Sequence, residues 1–178
     1  LGMMTTFLEG LPAADLPVLA DFAVVEDGSA TTGEVMNLLA RRNLLFEVVK
    51  APSPRYRINI AIGTSGYPVE EAADPNAFAQ KIRRQLTDEQ RMLRVYGSEV
   101  VICRLTGNAG RVRLHLLNYG GREIEGLRIR LRGTYRTGEA NIAGAGRLPL
   151  QDHASADGFT EFSVPRLSTY AVIDLLAK

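Results

Sequence analysis

The chain has 178 residues, 46% hydrophobic and 23% charged, enough for one ordinary domain or two small ones around an apolar core. That balance excludes a disordered chain, and no apolar run approaches the roughly 20 residues that cross a bilayer, so no membrane span is expected. A net charge of +1 is too small to advertise a nucleic-acid partner.

Residues 16–20 are uncharged but contain Pro17 and are flanked by Asp15 and Asp21, which is not the pattern of a secretory signal. A short strand is expected over 22–25, with Pro12 and Pro17 making the lead-in irregular. Thr31 with Glu34 three residues on is the spacing of a capping box, which predicts a helix opening there and carrying Val35, Leu38 and Leu39 as its apolar stripe. Residues 44–49 read as a strand, and 56–62 alternate, with Ile58, Ile60 and Ile62 on one face. Asp74 followed by Pro75 caps and starts the clearest helix, in which Phe78, Ile82 and Leu86 recur every fourth residue.

After Gly97 the character changes. Strands are expected over 99–105, 112–117, 127–135, 147–150, 159–164 and 170–175, separated by Gly-rich turns, and that rhythm is one of sandwiches and barrels.

Charge is unevenly spread. Residues 1–40 hold Glu9, Asp15, Asp21, Glu26, Asp27 and Glu34 without a Lys or Arg, whereas residues 104–136 hold eight arginines against Glu123 and Glu125. Within 111–116 and 127–132 apolar residues alternate with polar ones, so Arg111, Arg113, His115, Arg128, Arg130 and Arg132 share one sheet face if the two strands pair. A solvated or internally docked face is the ordinary reading of such a stripe. The opposite charge of the N-terminal stretch suits docking on it, from the same chain or a second copy.

Signs of chemistry are sparse. Cys103 is the sole cysteine and sits in an apolar run, as a small buried hydrophobe. Gly63-Thr64-Ser65-Gly66-Tyr67 lacks the second glycine of a nucleophile elbow and the Lys of a phosphate loop. Asp152, His153 and Asp157 fall in a polar stretch, expected as a loop, without a recognised metal-ligand spacing, so neither metal nor cofactor is expected. The paired acids Glu70-Glu71, Asp88-Glu89 and Glu123 with Glu125 read as solvated surface groups.

The segments 114–119 (Leu-His-Leu-Leu-Asn-Tyr) and 158–167, followed by Tyr170-Ala171-Val172-Ile173, resemble the small β-sandwich domains at the C-terminal ends of many glycoside hydrolases and related carbohydrate-active proteins. The resemblance covers about residues 99–176 and implies an accessory sandwich with catalysis elsewhere. The preceding strand–helix order loosely resembles a reduced amidotransferase-like or flavodoxin-like α/β layer. It lacks a Gly-x-Cys-x-Gly elbow, so no catalytic residue carries over.

The expected fold is α+β: a small α/β segment over 1–97, then an antiparallel immunoglobulin-like β-sandwich over 98–178. The expected role is a non-catalytic accessory, interaction or assembly module of a carbohydrate-active protein, facing a neighbouring domain or forming a homo-oligomer. Two alternatives stay open. A carbohydrate-binding module would stack sugars on Tyr119, Tyr135 or Tyr170, and a small hydrolase would draw on Glu70, Glu71, Asp88 or Glu161.

Overall fold

The computed structural model describes residues 2–12 and 15–178. They form an α+β protein rich in antiparallel sheet, divided into two units: Leu1–Val18 with Val95–Lys178, and Leu19–Arg94. Helix α1 (Gly2–Glu9) belongs to the first unit and buries none of its residues.

The Leu19–Arg94 unit is built on three parallel strands. β1 (Phe22–Val25) runs between β2 (Phe46–Val49) and β3 (Asn59–Ile60), joined to β2 through helix α2 (Ala30–Arg41). Ser29, not Thr31, caps α2: its Oγ accepts from the Thr32 amide at 3.1 Å, and Asp27 accepts from the Ser29 amide and the Thr32 hydroxyl. The expected capping box is displaced because Ser29 offers the same hydroxyl two residues earlier, with a carboxylate behind it. The strand expected over 56–62 shrinks to two residues, since the Asn59 amide donates back to the Ser53 and Tyr56 carbonyls and holds the approach as a turn.

Beyond β3 come α3 (Val69–Ala72) and α4 (Pro75–Gln90), the latter capped by Asp74, which accepts from the Asn76 and Ala77 amides. Non-helical Thr87 interrupts α4, so its last turn is a separate short piece. Phe78, Ile82 and Leu86 pack with Phe22, Val24, Val35, Leu39 and Ile60, each nearly or fully buried. Each large apolar side chain so buried contributes about 1.5–3 kcal/mol, which holds a sheet this small together.

Strand β4 (Leu93–Tyr96) leads into the two sheets. β5 (Val101–Gly107), β6 (Arg111–Asn118), β7 (Ile124–Arg132), β8 (Glu139–Ile142), β9 (Gly146–Pro149), β10 (Gln151–Ala156), β11 (Phe159–Leu167) and β12 (Tyr170–Leu176) follow. One sheet has the order β5-β6-β12-β8-β9 and the other β10-β11-β7-β4. In each, alternate residues are buried: Val112, Leu114, Leu116, Ile173 and Leu175 in the first, and Leu127, Ile129, Leu131, Phe162 and Val164 in the second.

Two expectations are corrected here. β6 and β7 do not pair, because the connection between them switches sheets, so the arginine stripe is split over two sheets. His153 lies in a strand rather than a loop. β10 pairs with β11 through a register shift between Gln151 and Ala154, and Asp152 adopts a positive φ there.

Candidate functional site

The face of the five-stranded sheet opposite its buried residues carries most of the chemistry. Register sets Arg104 opposite His115 and Thr106 opposite Arg113, while β12 sets Val172 opposite His115 and Asp174 opposite Arg113. Asp174 is the hub. It accepts from Arg113 Nε at 2.8 Å and Nη2 at 2.7 Å, and from Arg111 Nη2 at 3.0 Å. Burial pushes its carboxyl up, but the hydrogen bonds and charges of Arg113 and Arg111 outweigh that and hold it below the ordinary Asp range.

Beside this pair, His115 Nδ1 lies 2.7 Å from the Tyr170 hydroxyl. Burial first, then the charges of Arg113 and Arg104, hold the imidazole below its usual value of 6.5, so it is neutral near pH 7. Phe7 of α1 meets the Tyr170 ring edge-on at 5.9 Å, and Val18 bridges to Thr106 on the edge strand β5. Two pockets open on it. One, of about 320 Å³, has Leu11, Arg111, Glu139 and Arg147 in its walls. The other, of about 530 Å³, is lined by Asp15, Ile102, Arg104, His115, Leu117 and Tyr170, with Arg113 also in its wall.

The second half of the expected arginine stripe lies on the four-stranded sheet. Glu161 holds Arg128 at 2.9 Å and Arg130 at 3.5 Å, and the Arg130 guanidinium sits 3.6 Å from the centroid of the Phe159 ring. Arg128 also donates to the Asp152 carbonyl. Arg132 is the exposed end of this row. The structure thus brings Arg111, Arg113 and His115 together, and Arg128 with Arg130, but not the two groups onto one sheet.

The three tyrosines do not form one platform. Tyr119 is 39% exposed and donates to the Glu99 carbonyl at 2.8 Å. Tyr135 donates to the Arg132 carbonyl and folds against Gly133, and burial pushes its phenol up. Tyr170 lines the pocket of about 530 Å³.

Other candidates are spread apart. Glu71 pairs with Lys81, Asp88 with Arg91 and Arg94, and Glu123 with Arg166, while Glu70 is exposed. Gly63-Thr64-Ser65-Gly66-Tyr67 is a tight turn closed by Gly63 N–H to the Tyr67 carbonyl at 2.8 Å. Among the described residues no three of His, Cys, Asp and Glu gather as a metal site, and no helix is long and apolar enough to cross a membrane. Part of Cys103 reaches solvent, but burial around its sulfur pushes the thiol far up.

Sequence reasoning overlooked Asp174 and met Arg104 and Asp15 only as part of the charge asymmetry, not as members of a site. A signal for Asp174 existed: in β12 it is the acid on the face opposite Ile173 and Leu175, and an acid at such a register answers an arginine-rich neighbour. Nothing local marks the other two.

No protein-family model matches this sequence, and a search of curated proteins returns no match either. Solved structures do match in fold. The α-L-fucosidase isoenzyme 2 from Paenibacillus thiaminolyticus aligns over 93% of this chain with a TM-score of 0.72 and 10% identity. This chain spans 50% of that structure. An α-amylase from Anoxybacillus aligns over 83% of this chain and 33% of its own, at 12% identity and a TM-score of 0.28. The noncanonic maltogenic α-amylase AmyB from Thermotoga neapolitana aligns over 82% and 37%, at 11% identity and a TM-score of 0.30. The fucosidase likeness is one of fold, and the amylase scores are too low to define even that.

Proposed function

We propose that this chain is a non-catalytic accessory module of a carbohydrate-active protein, burying sheet faces against a neighbouring surface. The observation that carries the reading is the backbone match along 93% of the chain to half of a fucosidase structure. The same reading makes the two-sheet unit immunoglobulin-like and the Leu19–Arg94 unit a reduced amidotransferase- or flavodoxin-like layer. Its parallel order β2-β1-β3 supports the latter, being the opening of a doubly wound order that normally continues with further strands.

Charge placement gives further support. Glu161, Glu71 and Asp88 are each tied to cations, whereas the acid of a glycosidase pair needs a raised pKa and an open path to the glycosidic oxygen. Asp174 matches Arg111 and Arg113, and Glu161 matches Arg128 and Arg130, so a second surface can cover these four without stranding them unpaired.

The test pairs turnover of an aryl-glycoside panel, α-L-fucoside included, with mass by light scattering. The expected result is no turnover above buffer. A mass that is a multiple of 19.4 kDa identifies the neighbour as a second copy, and a monomer places it elsewhere in a longer protein. Saturable turnover proportional to protein concentration overturns the proposal. A second reading, carbohydrate binding, is favoured by one observation: the roughly 530 Å³ pocket sets the Tyr170 ring beside Leu117, which is 40% exposed.

A further inference from the structure

The larger pocket combines two things a ligand site needs, an apolar floor and polar groups that converge on it. Ile102, Leu117 and Tyr170 form the floor. They lie on adjacent strands, with Leu117 opposite both Ile102 and Tyr170 in register. A sugar presents C–H groups on one ring face and hydroxyls at its edge, and an aromatic ring flanked by aliphatic side chains matches the first of these.

The edge of the pocket is set for an anion. Arg104 is exposed on β5, and among the described residues it makes no hydrogen bond or ion pair. Arg113 spends Nε and Nη2 on Asp174, leaving Nη1 uncommitted. His115, in the pocket wall, uses Nδ1 on Tyr170; with the phenol donating, Nε2 carries the ring proton and is a further donor. The opposing charge is Asp15, on the stretch preceding β1. Counting Arg104, Arg111 and Arg113 against Asp15 and Asp174 leaves an excess of one positive charge on this face.

From this geometry we propose that the pocket binds an acidic saccharide, a sugar ring carrying one carboxylate. The ring lies on Tyr170 and Leu117, and the carboxylate meets Arg104 and the free edge of Arg113. The inference rests on the carbohydrate-binding reading given above. Asp15 acts as a brake, because its carboxylate occupies the rim where the sugar's own charge must sit.

The experiment is calorimetric titration of the chain with methyl glucuronide and with methyl glucoside, at low salt so that screening does not mask the charge. Methyl glucuronide is expected to bind saturably and about tenfold more tightly than the neutral sugar. Arg104→Ala, at an exposed strand position, is expected to weaken it about fivefold or more, and Asp15→Asn to tighten it a few fold. Arg132→Ala, on the other sheet, removes the same charge and should leave binding unchanged. Circular dichroism of each variant checks that it folds.

Equal affinity for both sugars with Arg104→Ala silent overturns the acidic specificity while leaving carbohydrate binding standing. Binding of neither sugar overturns both. Acetate or sulfate binding as tightly as methyl glucuronide reduces the pocket to a nonspecific anion site and also overturns the proposal.

Discussion

Asp174→Asn removes one charge and nearly no volume, which makes it a clean probe of the five-stranded sheet. The Arg113 side chain is only 7% exposed and donates two hydrogen bonds to the Asp174 carboxylate, whose own side chain is 28% exposed. Breaking one half of a fully buried pair costs about 3–5 kcal/mol, because the other half is left charged and unsolvated. A solvent-exposed pair is worth about 0–1 kcal/mol. With one partner buried and the other partly wet, the cost falls between these limits, at about 2 kcal/mol. For a chain of this size that is a drop in Tm of about 4–8 °C. Arg113→Met should cost less, since Asp174 keeps Arg111 at 3.0 Å. The double variant should be milder than the sum of the two singles.

The acid limb gives an independent check. Asp174 has a folded pKa below its ordinary 3.8, so its contribution is complete above that value and is lost as pH falls through the lower folded value. The gap between wild type and Asp174→Asn in thermal scans should therefore narrow on strong acidification. A Tm loss of under about 1 °C at neutral pH would refute the reasoning that Asp174 is the counter-charge of a buried guanidinium.

Three further outcomes follow from the same geometry. Ser29→Ala should cost about 1 kcal/mol in urea unfolding, while Thr31→Ala should be near neutral, because Ser29 is the residue that accepts from the Thr32 amide. Cys103, its thiol pushed up by burial, should react with a disulfide reagent only slowly in the native protein and quickly in denaturant. His115 has a folded pKa below 6.5, so the stability it contributes is complete above 6.5 and lost as pH falls through the lower folded value. Thermal scans from pH 7 to 5 should show a steeper fall for wild type than for His115→Gln.

Where a feature is set by neighbouring residues, the sequence revealed it. Asp74-Pro75 and the four-residue spacing of Phe78, Ile82 and Leu86 marked α4, and those side chains are in the core. The alternation over β6 and β7 marked Val112, Leu114, Leu116, Leu127, Ile129 and Leu131, all of which are buried. The shared arginine face was conditional on β6 pairing with β7, and alternation is the same whether a strand pairs with its successor or sends it to the other sheet. The connection that switches sheets carries Gly120 and Gly121, which fit a hairpin turn equally well. β10 was read as a loop because its residues are polar and an edge strand there takes its order from the ladder to β11. Helix α1 offered no cap and no buried stripe to detect. Of the pocket, His115, Arg113 and Tyr170 were legible as polar or aromatic positions in strands. Arg104 and Asp15 join them only through pairings far apart in the chain.

The measurement that bears most directly on a non-catalytic role is turnover of an aryl-glycoside panel by the purified chain, followed to high protein concentration. A rate indistinguishable from buffer for every glycoside, with the same preparation giving a cooperative thermal transition, is the predicted result. Saturable turnover that scales with protein and falls when Glu70, Asp88 or Glu161 is changed to the amide would contradict it.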